Sequence, residues 1–132
     1  MSNKKVLIVE DDADVRLGCH LLLKANGYES FLAADATSAV GEALKHRPDL
    51  IILDLGLPGG GGFAVLDRLR ANTYLAVIPV VVVSAKDVYG NKPRALTAGA
   101  KAYVQKPWND TELLAIIGEL LGEPQPSVSH ST

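Results

Sequence analysis

Five apolar runs of strand length alternate with stretches of helical length, and no hairpin signal joins any two of the runs. The candidate strands are "KVLIV" (5–9), "YESFLAA" (28–34), "LIILD" (50–54), "IPVVVVSA" (78–85) and "KAYVQKP" (101–107). Uninterrupted β-branched runs such as the first and fourth suit strands buried on both faces. Asp12 can cap a first helix that Gly27 ends, and a second begins at Asp35 or Thr37 and is closed by Pro48. A third helix spans 63–71. A fourth, within 89–98, is short because Gly90 and Pro93 fall in or near its first turn. The fifth opens on the capping-box pattern of Asn109 and Glu112. Five such repeats imply an α/β fold, a parallel sheet with right-handed crossovers and helices on both faces.

A chain of 132 residues accommodates one such domain, over 1–122, and "EPQPSVSHST" (123–132), without apolar periodicity, reads as a disordered tail or linker. The net charge of −2 and the lack of a basic stripe argue against direct nucleic-acid binding. The most apolar stretch, 77–85, is far shorter than the roughly 20 residues of a membrane span. "MSNKK" runs straight into a strand with no signal peptide, and the lone Cys19 suggests a reducing compartment, so a cytoplasmic location is expected. His20 follows Cys19, but adjacent helical residues point in different directions and make no metal site.

Parallel sheets of this kind bind ligands at the carboxyl ends of their strands. Strand one ends in Glu10 and Asp11, with Asp12 next. Strand three ends in Asp54, strand four in Ser84, and strand five in Lys106 and Pro107. With strand order 2-1-3-4-5, strands one and three are neighbours and Glu10, Asp11 and Asp54 converge. Crowded carboxylates repel unless a cation intervenes. Mg²⁺ suits the need, because it takes carboxylate and carbonyl oxygens, keeps several waters and shares phosphoryl oxygens. The Gly56 carbonyl, two residues past Asp54, is a candidate backbone ligand. Ser84 adds a hydroxyl and Lys106 a long cationic arm. Together these groups describe a phosphoryl-transfer site: nucleophile, Lewis acid and two charge stabilisers.

Glu10-Asp11, "LDLGLPG" around Asp54, Ser84-Ala85, Tyr103 and Lys106-Pro107 stand in the order and spacing of one family. Over about 4–121 the chain resembles the receiver domain of two-component response regulators, chemotaxis regulators among them. The resemblance implies a flavodoxin-like, doubly wound, five-stranded sheet of order 2-1-3-4-5 with five helices. It implies that Asp54 accepts a phosphoryl group from a phosphohistidine on a sensor histidine kinase or histidine phosphotransfer protein. Glu10 and Asp11 would hold Mg²⁺ directly or through water, with Asp54 and the Gly56 carbonyl. Ser84 would hydrogen-bond the phosphoryl group and Lys106 would pair with it. The Lys106-Pro107 peptide is a candidate for the cis form. Tyr103 occupies the aromatic switch position, and with Ser84 it would change the face of helix four, strand five and helix five. A downstream partner or a second copy would dock there. The domain would promote its own phosphorylation and dephosphorylation and not be an enzyme for a separate substrate. Three departures stand out: Glu10 for the more frequent aspartate, Ser84 as the smaller hydroxyl residue, and Gly61 where aspartate is frequent.

A flavin-binding protein of the same architecture would need a hydroxyl- and amide-rich phosphate loop where this chain has three acids. A P-loop would need a lysine in its glycine signature. A phosphorylation-independent interaction module is the alternative, but degenerate receivers usually lose the acids, the acceptor or the lysine, and all are present here. On helix one, Val15, Gly18, Cys19, Leu22 and Leu23 form the expected core stripe. Leu17 and Leu21 fall outside it as a possible docking pair for the phosphodonor. The glycines at 59–62 are expected to make a loop that is mobile without metal and quieter once it binds.

Overall fold

All five apolar runs pair in parallel, in the order β2-β1-β3-β4-β5, in the computed structural model, which describes residues 3–57, 61–85 and 90–123. The elements are β1 (Lys5–Val9), α1 (Ala13–Ala25), β2 (Glu29–Ala33), α2 (Ala36–His46), β3 (Leu50–Asp54), α3 (Gly61–Ala71), β4 (Val80–Ser84), α4 (Asn91–Thr97), β5 (Ala102–Gln105) and α5 (Asp110–Leu120). The expected tail lies outside the described residues from 124 onward, as do Gly59 and Gly60.

Alternate residues of each central strand feed two cores. Val6 and Ile8 of β1 join Cys19 and Leu23 of α1 and Leu113 and Ile117 of α5 on one face. Leu7 and Val9 join Ala39, Ala43, Val65, Leu66 and Ala95 of α2, α3 and α4 on the other. Residues 6–9, all of β3 and all of β4 are buried. Each fully buried aliphatic side chain contributes about 1.5–3 kcal/mol relative to exposure. This double burial is why the strand runs carry no polar alternation, and why a charged side chain can emerge only where a strand ends.

Caps set where helices begin. Asp12 accepts from the Asp14 and Val15 amides, Asp35 from Ser38, and Asn109 from Glu112. Asp35, not Thr37, therefore starts α2. The core stripe of α1 is narrower than its spacing suggests, with Cys19 and Leu23 buried, Val15 and Leu22 half-buried, and Gly18 exposed. Burial, followed by the charges of Glu10 and Asp110, pushes the Cys19 thiol up to about 12, so it acts as packing. His20 Nδ1 meets the Ser30 hydroxyl instead of turning toward Cys19.

The glycines entering α3 have a packing role that mobility does not explain. A Cβ at Gly62 would lie 2.5 Å from the Asp54 carbonyl oxygen and 2.6 Å from Leu55 Cα, and the Gly62 amide donates to Leu55 O at 3.0 Å. The first turn of α3 presses directly on the backbone that carries Asp54, and only a residue without a side chain allows it. Gly61 has φ +71°, in the left-handed region. Both positions call for glycine through backbone geometry.

Gly41 of α2 is the opposite case, with nothing within 4 Å of an added Cβ. Gly41→Ala should stabilise the fold by about 0.5–1 kcal/mol through helix propensity. Gly62→Ala should destabilise it by about 1–3 kcal/mol or more through overpacking against backbone. Urea denaturation of the two variants should shift the midpoint in opposite directions.

Candidate functional site at the carboxyl edge of the sheet

The register brings the site together. Val9 pairs with Leu53, and Asp54 pairs with Val83, so Glu10, Asp54 and Ser84 emerge side by side from β1, β3 and β4. Lys106 follows β5, its amide donating to Ser84 O at 2.7 Å. Among the described residues, Glu10, Asp54 and Ser84 are the buried polar side chains. Glu10, Asp11 and Asp54 each offer a carboxylate oxygen within 4.8 Å of the others, and Asp11 is exposed. Four of the residues singled out from strand ends thus converge with Lys106 as the fifth. The Lys106-Pro107 peptide is cis.

The charges interlock. Lys106 Nζ lies 2.6 Å from Glu10 Oε1 and 3.5 Å from Asp54 Oδ1. Glu10 Oε2 accepts from the Asp12 amide at 3.2 Å, so this carboxylate is held at both oxygens. Burial raises the Glu10 pKa above its ordinary value and the Asp54 charge adds to the rise, while the bonds from Lys106 and Asp12 oppose it. For Lys106, burial works against the cation. The hydrogen bond to Glu10 and the charges of Asp54 and Glu10 outweigh it and raise the ammonium pKa. One cation therefore serves two buried carboxylates. That leaves a net negative site, chemically suited to a hard divalent ion.

Asp54 Oδ1 also accepts from the Gly56 amide at 3.1 Å. A Cβ at Gly56 would sit 3.6 and 3.7 Å from the two carboxylate oxygens, so the glycine leaves open space beside Asp54. Tyr103 packs against the α2–α3–α4 core, and its hydroxyl is buried with no hydrogen-bond partner among the described residues. As a residue Tyr103 is half-buried on the edge strand, with its hydroxyl end turned inward.

Two features were missed in the sequence. Arg16 donates from Nη1 to the Glu10 carbonyl at 2.8 Å and lies 3.4 Å from the Asp11 carbonyl oxygen. A cation in the first turns of a helix, where the dipole disfavours it, was the available signal. The second is an open cavity of about 580 Å³ beside the site, where Val15, Gly18 and Cys19 of α1 face Pro107 and Trp108. Leu17 and Leu21 are each 54% exposed, as their spacing predicted.

Comparison with known proteins follows the same lines. Residues 6–118 match the family model described as response regulator receiver domain. The chain is 35% identical over 123 residues to the phosphate regulon transcriptional regulatory protein PhoB of Escherichia coli, covering 93% of this chain and 54% of that protein. It is 38% identical over 110 residues to the transcriptional regulatory protein KdpE of Mycobacterium tuberculosis, covering 83% and 47%. The chain thus spans about half the length of these curated relatives. The receiver domain of a Pseudomonas aeruginosa sensor histidine kinase, solved with a magnesium ion in its active-site cleft, superposes with a TM-score of 0.85. The two are 29% identical over 92% of this chain and 100% of that one. The Vibrio cholerae chemotaxis response regulator CheY4 gives 0.83 at 28% identity, over 90% and 99%.

The raised Glu10 pKa carries a signed expectation. A carboxyl whose folded pKa lies above its unfolded value favours the fold when protonated, so its contribution is lost as pH rises through the carboxylate range. Asp54→Asn removes the like charge and should move the Glu10 titration, followed by carboxyl ¹³C NMR, to lower pH. Saturating Mg²⁺ should move it the same way. The Lys106 contribution has the other window: it is present below the ordinary lysine pKa and lost as pH rises through the elevated folded value.

Proposed function

The chain belongs to the response regulator receiver domain family, and from that premise we propose that it relays a signal by carrying a phosphoryl group on Asp54. The donor is a phosphohistidine on a sensor histidine kinase or histidine phosphotransfer protein. An Asp54 carboxylate oxygen attacks phosphorus, the P–N bond breaks with its electron pair passing to the imidazole, and an aspartyl phosphate remains. The observation that carries this reading is the meeting of Glu10, Asp11 and Asp54 within 4.8 Å, with Lys106 against two of them. The alternative of a phosphorylation-independent module finds no support in a site so completely furnished.

Glu10 and Asp11, directly or through water, with Asp54 and the Gly56 carbonyl, would hold Mg²⁺, which would supply charge neutralisation for the carboxylates and the transferring oxygens. Asp54 stands on a fully buried strand, so its attack geometry is fixed by backbone pairing. Lys106 is the mobile charge: as the phosphoryl group arrives, its ammonium exchanges Glu10 for phosphoryl oxygen. Ser84 donates its hydroxyl to another of those oxygens. Gly56 keeps the approach clear.

Ser84 moving toward the phosphoryl group, with Tyr103 following, would alter the α4–β5–α5 face that a downstream partner or a second copy reads. Support comes from the Tyr103 hydroxyl, buried without a partner among the described residues, and from α4 itself. That helix has seven residues, and its N-cap, Gly90, makes no side-chain hydrogen bond. Short, weakly capped helices belong to the low-stability end of a structure, where switching elements are found. Receiver signalling of this kind belongs to the cytoplasm, and no helix among the described residues is long and apolar enough to cross a membrane.

With Mg²⁺ and a small acyl phosphate, intact mass should rise by one phosphoryl group. Asp54→Asn should gain nothing, and chelation should abolish the gain. Equal labelling of both proteins would refute the acceptor. If Leu17 and Leu21 receive the phosphodonor, the double change to Ser should slow transfer from the protein donor about tenfold, which corresponds to about 1.4 kcal/mol. Labelling by the small donor should be spared, and equal slowing with both donors would assign the pair to packing.

A further inference from the structure

Residues 10 and 11 carry two of the three carboxylates but lie outside regular structure. β1 ends at Val9 and α1 begins at Ala13. The Glu10 amide still reaches Ala33 O at 3.0 Å, and the Glu10 side chain is pinned by Lys106 and the Asp12 amide. Asp11 has no such support. Its side chain is exposed, and no hydrogen bond from its carboxylate to another described residue accompanies those of Glu10 and Asp12. With its side chain unrestrained, the backbone is the part of Asp11 that neighbouring groups hold.

Arg16 holds that backbone. Its half-buried guanidinium donates to the Glu10 carbonyl at 2.8 Å and makes a longer contact, 3.4 Å, with the Asp11 carbonyl oxygen. Its own amide closes the first turn of α1 on Asp12 O at 2.9 Å. The side chain folds back across the cap it belongs to and ties the helix start to the two peptide groups before it. Its partners among the described residues are carbonyls, not carboxylates, so it leaves the acidic oxygens free for a cation.

We infer that Arg16 is a positioning residue for the divalent cation: it fixes the Glu10–Asp11 backbone so that the Asp11 carboxylate is aimed at the metal position before metal arrives. The inference rests on the receiver reading above. Two physical effects of Arg16 oppose each other. Its positive charge near the cluster repels a divalent ion, while its grip on the carbonyls removes the entropy of ordering the segment. The geometry makes the grip dominant, because groups that orient metal ligands commonly affect metal affinity by about 10–100-fold.

Arg16→Lys and Arg16→Met separate the two. Lysine keeps the charge, but its ammonium sits on a flexible stem without the guanidinium plane that sets Nη1 against both carbonyls. Methionine loses both. Calorimetric titration of Mg²⁺ into metal-free protein should show the dissociation constant raised about tenfold or more in each variant. Labelling by a small acyl phosphate should recover to near the wild-type rate at saturating Mg²⁺, a change in metal half-saturation without a change in maximal rate. If charge alone mattered, the lysine variant would match wild type and the methionine variant would bind Mg²⁺ more tightly, and that result overturns the inference. Should Arg16→Met fail to fold, Arg16→Lys alone decides, since positioning requires weaker binding and charge requires none. A wild-type chain that takes up no Mg²⁺ would instead refute the receiver reading itself.

Discussion

Like charges gathered in a partly buried place are the constraint around which the carboxyl edge of this sheet is arranged. Parallel pairing of β1 with β3 and β3 with β4 leaves no choice about which side chains meet once the strands end. In this chain those side chains are the carboxylates of Glu10 and Asp54, with the Ser84 hydroxyl beside them. Two charges at 4 Å interact by several kcal/mol even at an effective dielectric constant near 20, so the cluster is unstable unless it is compensated. Lys106 compensates in part by lying between Glu10 and Asp54, and the remainder defines the need for a divalent cation. The long side chain of Glu10 belongs to this picture, since its carboxylate makes a 2.6 Å contact with Lys106.

Rigid and yielding parts are divided accordingly. Asp54 sits on a strand buried along its whole length, and the first turn of α3 abuts the same backbone through Gly62. The opposite neighbour of the site is softer. α4 is short, and the Tyr103 hydroxyl beneath it is buried without a partner among the described residues. An unpaired buried hydroxyl costs about 1–3 kcal/mol. Arg94 of α4 lies over the Phe63 ring at 3.8 Å, so the turn that presses on Asp54 also touches α4.

Strand runs, caps and the residues at strand ends were legible in the sequence because each follows from a local rule. "KVLIV" and "LIILD" became β1 and β3 without adjustment, and Asp12 and Asn109 cap the helices they were expected to cap. "IPVVVVSA" and "KAYVQKP" were read too long, because apolar character continues past the point where the hydrogen-bonded ladder stops. The contacts that escaped sequence reading are those made through space. The grip of Arg16 on two carbonyls, the reach of Glu10 to Lys106 ninety-six residues away and the backbone contact at Gly62 depend on how strands and helices lie together. A glycine run looks the same in sequence whether it serves mobility or close packing. Only the position of a neighbouring backbone tells them apart, and at Gly62 that neighbour is the backbone of Asp54 and Leu55.

The exchange of partners by Lys106 is the most direct point at which this description can fail. A crystal structure of the chain with Mg²⁺ and a beryllium fluoride mimic of the phosphoryl group would examine it. The mimic should be bonded to Asp54, a cation should be bound by Asp54 and Asp11, and Lys106 Nζ should have left Glu10 Oε1, now 2.6 Å away, for a fluorine of the mimic. A mimic seated elsewhere, or one on Asp54 with the Glu10–Lys106 contact unchanged, would contradict the coupling of charge, metal and phosphoryl group described here.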